Sequence, residues 1–168
     1  MVKIVEIFSD ITLKSSSTVV SKLLELDYYN NYEITVLINS DGGDVESMYS
    51  ILDAFSIIES PIKTICIGNA YSAAAVLLAA GNKRYSFPNS RIMIHGVQSS
   101  IKEDSQLAFE KHIKEIEKDN LKLYTLLSKL TKKSLDKISK DCIRDKFFTP
   151  EQALKYGLID EILKPKEK

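Results

Sequence analysis

A serine set among small residues, just after an apolar run, is the first feature of this chain that could carry chemistry. Ser72 lies in Gly68-Asn69-Ala70-Tyr71-Ser72-Ala73-Ala74-Ala75, where the apolar residues 62–67 give way to a helix-forming stretch. A hydroxyl at such a junction faces unpaired backbone N–H groups and the positive end of a helix, both of which favour developing negative charge. Acyl transfer needs that environment, because its tetrahedral intermediate carries an oxyanion. Read alone, the segment is explained as well by a serine that merely caps the helix. The G-x-S-x-G elbow of the α/β-hydrolases is absent, which disfavours that group.

Serine is a weak nucleophile until a base takes its proton. The sequence holds two histidines. His112 sits in the charged run Glu110-Lys111-His112-Ile113-Lys114 and reads as a surface residue. His95 ends the apolar strand Ile92-Met93-Ile94 and can emerge at a sheet edge facing a cleft; a satisfied core histidine is the plain alternative. A third group must orient the imidazole and stabilise its cation. Asp145, in Arg144-Asp145-Lys146-Phe147-Phe148 ahead of a capped helix, can fill that role, although by default it is one acidic loop residue among many. The turn Asn39-Ser40-Asp41-Gly42-Gly43 lets the backbone approach a ligand closely and offer an N–H group, or is simply a tight turn. It matches neither G-x-G-x-x-G nor the Walker pattern, so nucleotide binding is rejected.

These residues need a frame. The 168 residues show no repeat or linker and fit one compact domain, 1–168, with a sizeable core. Apolar strands are expected at 2–8, 34–38 and 62–67. A helix capped by Ser16-Ser17-Thr18 and running to about Leu26, with Val19, Leu23 and Leu24 on one face, is expected between the first two. A second helix follows over 45–58. That alternation predicts an α/β fold with right-handed crossovers and a mainly parallel sheet covered on both faces. A small-residue helix over 72–80 and two short strands, 84–87 and 92–95, come next, with Pro88-Asn89 turning between the strands. Residues 103–130 form one long charged helix, whose stripe of Phe109, Ile113, Ile116, Leu123, Leu127 and Leu130 faces another subunit or the chain's own core. Thr149-Pro150-Glu151-Gln152 opens a last helix with a capping box, and Gly157 ends it.

Composition excludes other classes. Lys+Arg and Asp+Glu are equal at 23 each, so no global field draws the protein to nucleic acid or anionic lipid. Cys66 and Cys142 have neither metal-ligand spacing nor a disulfide framework, and Cys66, within Ile65-Cys66-Ile67, reads as a small buried residue. The apolar stretch 73–80 is far short of the ~20 residues of a membrane helix. Without a signal-peptide pattern, the cytoplasm is the expected compartment, and the tail with Lys164, Lys166 and Lys168 is expected to be solvated.

Taken together, four stretches resemble the Clp protease proteolytic subunit family over nearly the whole chain. They are Ile38-Asn39-Ser40-x-Gly42-Gly43, Ile65-Cys66-Ile67-Gly68-x-Ala70-x-Ser72, Pro88-Asn89-Ser90-Arg91-x-Met93-Ile94-His95, and Arg144-Asp145-x-Phe147 followed by Tyr156-Gly157-Leu158-Ile159-Asp160. The resemblance implies a crotonase-like fold with one long projecting handle helix, and a serine endopeptidase working through an acyl-enzyme. It implies Ser72 as nucleophile, His95 as general base and Asp145 as orienting acid. The backbone N–H groups of Gly43 and Ala73 become the oxyanion donors, with no metal or bound cofactor. Residues 96–101 would hold substrate backbone by strand addition. Peptides or unfolded proteins are the implied substrates, an AAA+ unfoldase the implied partner, and two stacked heptameric rings the implied assembly. Residues 103–130 would join those rings, with Arg144 looking across the junction.

Departures bear on partner, gating and peptide preference. The chain starts almost at its first strand, where the family carries an axial-gate segment. Leu37 replaces a tyrosine of the unfoldase docking pocket, Asp41 a proline, Tyr71-Ser72-Ala73 the usual Ala-Ser-Met, and Gly96-Val97 the usual Gln-Pro. With Asp44-Val45, these features are similar to those of phage-type members acting on a few virion proteins. Two rivals share the fold: a crotonase-type enzyme acting on acyl-CoA, which needs no Ser–His pair, and a non-catalytic ring subunit, which typically lacks a triad member.

Overall fold

The computed structural model describes residues 3–98 and 105–164. Strand β1 (Lys3–Ile7) alternates buried and exposed residues, and helix α1 (Leu13–Tyr29) carries the chain back to the parallel strand β2 (Ile34–Ser40). Helix α2 (Val45–Ile57) then leads to β3 (Ile62–Tyr71), parallel to β2. Beyond β3 lie α3 (Ala73–Ala79), β4 (Lys83–Ser86), β5 (Arg91–Ile94), α4 (Gln106–Thr131), α5 (Leu135–Asp141), β6 (Lys146–Phe148), α6 (Pro150–Tyr156) and β7 (Glu161–Ile162). The seven strands form one sheet, parallel except where β6 runs against β5.

Ten residues long, β3 serves two neighbours in turn. Lys63–Cys66 pair with β4, which pairs with β7; Asn69–Tyr71 pair with β5, which pairs with β6. The change of partner falls at Gly68, whose φ of 86° is open to glycine and costly for other residues. A Cβ there would also lie 2.6 Å from the Asn39 side-chain oxygen, which accepts a hydrogen bond from the Asn69 N–H.

All seven residues of α3 are buried. Its alanines let the backbone lie close against β3, β2 and α2, while Leu77 and Leu78, fully enclosed, each remove enough apolar surface from water to contribute about 2–3 kcal/mol. Val36, Ile38, Met48, Ile51, Ile92 and Ile94 complete the core around it.

The structure moves several expected boundaries. Helix α1 starts at Leu13, not after Ser16, because Thr12 and Ser15 form a reciprocal capping box with the cap four residues earlier. Ser16 is buried inside that helix, and Leu24 is exposed, off the face formed by Val19 and Leu23. Strand β3 continues four residues past the expected end. Helix α5 and strands β6 and β7 are additions. Residues 96–98 form no strand, and 99–101 of the expected substrate strand lie outside the described residues, as do 103 and 104 of the expected long helix and Lys166 and Lys168 of the tail. Helix α4 is capped by Ser105, and its 26 residues extend about 39 Å at 1.5 Å per residue. Its stripe divides: Leu123 and Leu127 enter the core, whereas Phe109 is half exposed. The Thr149–Gln152 capping box, Pro150 in the first turn and Gly157 at the end of α6 stand where expected.

Candidate active site

Three neighbouring strands, β2, β3 and β5, end at one edge of the sheet, and the residues after each of them meet there. After β3 the Ser72 N–H donates to the Met93 carbonyl of β5 at 2.9 Å. The backbone then turns sharply, with Ser72 at φ 53° and ψ −122°, a combination that costs a non-glycine residue about 1–3 kcal/mol. Ser72 does occupy the N-cap position of α3, and its carbonyl accepts from Ala75 and Val76. Its hydroxyl does not cap the helix, however. It lies 2.7 Å from His95 Nε2 instead.

His95 directly follows β5 and is largely enclosed. Its other ring nitrogen, Nδ1, is buried without a hydrogen-bond partner among the described residues, and faces Asp145 Oδ1 at 3.4 Å. Asp145 precedes β6, whose antiparallel register with β5 sets Lys146 opposite Ile94. Its side chain is half exposed. Ser72, His95 and Asp145, distant in sequence, are thereby brought together in the expected order.

The glycine turn after β2 closes over the serine. A Cβ on Gly42 would sit 2.7 Å from the Tyr71 carbonyl oxygen and 2.8 Å from Ser72 Cβ. Gly43 is gripped from its other side: Ile11 N–H donates to the Gly42 carbonyl at 2.7 Å, and Asp44 N–H donates to the Ile11 carbonyl at 2.8 Å. Ala73 opens α3, so its N–H has no acceptor within the helix. Gly43 and Ala73 both line a cleft of about 360 Å³ shared with Ser72, His95 and Asp145, and walled by Met48, Val76, Met93, Leu123 and Leu127. Arg144 is exposed and is not part of this lining, and His112 borders a separate groove along α4.

Sequence reasoning singled out Gly43 and left Gly42 unassigned, although Gly42 is the residue pressed against Ser72. It also passed over the apolar wall, whose members come from four elements. Rival nucleophiles are weak: burial pushes the Cys66 thiol up to about 11 and the Cys142 thiol up to about 12, so neither supplies a thiolate near neutral pH. Among the described residues no group of three or more His, Cys, Asp or Glu is arranged to hold a metal ion, and no helix is long and apolar enough to cross a membrane.

The Clp protease family model matches residues 1–166. This chain belongs to the Clp protease family. The ATP-dependent Clp protease proteolytic subunit of Carsonella ruddii (strain PV) is 44% identical over 153 residues, which cover 88% of this chain and 77% of that relative. ATP-dependent Clp protease proteolytic subunit 1 of Thermobifida fusca (strain YX) is 38% identical over 152 residues, covering 89% of this chain and 68% of the relative. Membership makes this Clp protease family chain a serine-type peptidase with an α/β fold.

Proposed function

We propose that Ser72, His95 and Asp145 are the catalytic triad of an endopeptidase that cleaves unfolded polypeptides inside a ring assembly. The 2.7 Å contact between Ser72 Oγ and His95 Nε2 carries this assignment, because a hydroxyl that only capped α3 would have no reason to leave the helix for an imidazole. His95 takes the serine proton as Oγ attacks the peptide carbonyl, then gives it to the leaving amine. An ester to Ser72 remains, and His95 activates water to hydrolyse it. Asp145 holds the imidazole in orientation and stabilises its cation; contacts of this kind are commonly long before substrate binds and shorten in the transition state. The Gly43 and Ala73 N–H groups receive the oxyanion, each contributing roughly 3 kcal/mol.

The apolar wall of Met48, Val76, Leu123 and Leu127 supports a preference for an apolar side chain next to the scissile bond. Residues 96–98 line the same cleft and offer backbone for strand addition. The proposal extends to heptameric rings stacked in pairs and joined through α4 and Arg144, with an ATP-dependent unfoldase as partner in the cytoplasm; family membership and the exposed Leu107 and Phe109 of α4 support an assembly of this kind. Arg144→Ala leaving both assembly and turnover unchanged would remove that residue's role.

Fluorophosphonate labelling read by intact mass tests the assignment. One adduct per wild-type chain, absent from Ser72→Ala, is expected. An assembled, folded wild-type protein that takes up no label would instead fit a non-catalytic ring subunit.

A further inference from the structure

The loop carrying Asp145 is closed on itself by a carboxylate outside the cleft. Asp141, at the end of α5, is largely buried and receives three donors from three elements. Lys146 Nζ of β6 approaches Oδ1 at 2.5 Å, Tyr156 OH of α6 donates to Oδ2 at 2.6 Å, and Lys137 Nζ of α5 lies 3.1 Å from Oδ2. Lys146 is the residue after Asp145, so the Asp141–Lys146 pair ties together the two ends of residues 141–146. The next residue, Cys142, accepts a hydrogen bond through its carbonyl from the N–H of Gly96, the residue after His95, at 2.9 Å. Tyr156 is fixed in turn by its ring contact with Phe148, centroids 4.8 Å apart.

Asp145 itself has little to hold it. Its side chain is half exposed, and among the described residues its one polar contact is the 3.4 Å approach to His95. The carboxylate is therefore placed by the backbone on either side of it, which is held by the pairing of Lys146 with Ile94, by the Gly96–Cys142 hydrogen bond and by the Asp141 clamp. We infer that Asp141 is a positioning residue, which sets the distance between the Asp145 carboxylate and His95 Nδ1 by clamping the loop between them and α6. The inference rests on the triad proposed above. A buried ion cluster of this kind could equally serve stability alone, and the two roles separate by experiment.

Turnover of a fluorogenic peptide by the full-length, assembled protein is compared for wild type, Asp141→Asn, Tyr156→Phe, Asp145→Ala and the Asp141→Asn/Asp145→Ala double variant. Counting labelled serines normalises each rate per active site, and labelling rates replace turnover where turnover is too slow. Asp141→Asn is expected to lower kcat on the order of 10-fold, as a displaced catalytic group does, with KM changed by less than about twofold. In the Asp145→Ala background the same substitution should cost less than about twofold, because it acts through a group already gone. Tyr156→Phe keeps the ring and removes one donor; a smaller loss in the same direction is expected, and it carries the test if Asp141→Asn does not fold. An equal loss in both backgrounds, or a loss explained by fewer labelled sites, would leave Asp141 a stabilising residue only. Wild-type activity in Asp145→Ala would overturn the triad assignment, and this inference with it.

Discussion

Ser72 is held in an unfavourable backbone conformation by contacts that leave it little room. Its N–H is committed to Met93, its carbonyl to the first turn of α3, and Gly42 fills the space beneath it. Gly42→Ala would add a methyl group 2.7 Å from the Tyr71 carbonyl oxygen, at a position whose φ is already +99°. The expected outcome is slower fluorophosphonate labelling of Ser72, on the order of 10²-fold, since sub-ångström displacement of a reacting group is expensive. A loss of about 1–3 kcal/mol in urea unfolding should accompany it, the scale of forcing a side chain into such a conformation. Labelling at the wild-type rate would show that the turn has slack. Of the three grouped residues, residue type alone pointed to Ser72 and His95, because a serine needs a base and the chain offers two histidines, but left each a plain alternative. Asp145 stood out from other acidic residues only through the family resemblance. Gly42 was not legible: two adjacent glycines are equivalent on paper, and only the approach of β2 to the end of β3 distinguishes them. Asp141 was hidden for a similar reason, lying among lysines in a segment with no periodic signal.

One helix, α4, behaves as two. Leu123 and Leu127 on its second half are buried in the core, while Leu107 and Phe109 on its first half are exposed. Leu127→Ala should lower the unfolding free energy by about 2–5 kcal/mol, the cost of an internal cavity. Phe109→Ser should leave that quantity within about 0.5 kcal/mol and instead reduce the mass observed by sedimentation velocity, if this half meets another subunit. A wild-type sedimentation profile for Phe109→Ser would mean that the outer stripe makes no such contact. Spacing alone showed the stripe but not its division, because the same apolar periodicity serves a core and an interface. The other discrepancies also have local causes. Thr12 with Ser15 outcompetes the serines that follow as a cap, and α5, with seven residues, and β6, with three, are too short to build a period. Where several signals coincided, at Thr149, Pro150, Gln152 and Gly157, the helix appeared as read.

At the scale of the molecule, carboxylates tie distant segments together and make the fold sensitive to acid. Burial opposes the charge of Asp141, but Lys146, Tyr156 and Lys137 overcome it and hold the carboxyl at about 2, against an ordinary 3.8. Hydrogen bonds from Ser60, Lys83 and Arg84 likewise lower Asp27, Glu33 and Asp160. A folded-state value below the unfolded one means that the stabilisation is complete above about pH 4 and is lost as pH falls through about 2; for Asp141 it is worth about 2 kcal/mol. Urea midpoints should therefore decline steeply over that interval, and Asp141→Asn should flatten the decline while lowering the midpoint at neutral pH. An unchanged slope in that variant would assign the acid sensitivity to the other carboxylates. The strand that changes partners at Gly68 has a further consequence, for a protein made from its N-terminus onward. Ser72 ends a strand whose last residues pair with β5, and the group proposed to orient its base follows more than seventy residues later. A growing chain can present the serine early but cannot complete the proposed triad until residue 145 has been synthesised and β6 has docked on β5. On that assignment peptidase activity arrives only once the last elements are in place, so an unfinished chain on the ribosome would be unable to cleave its neighbours.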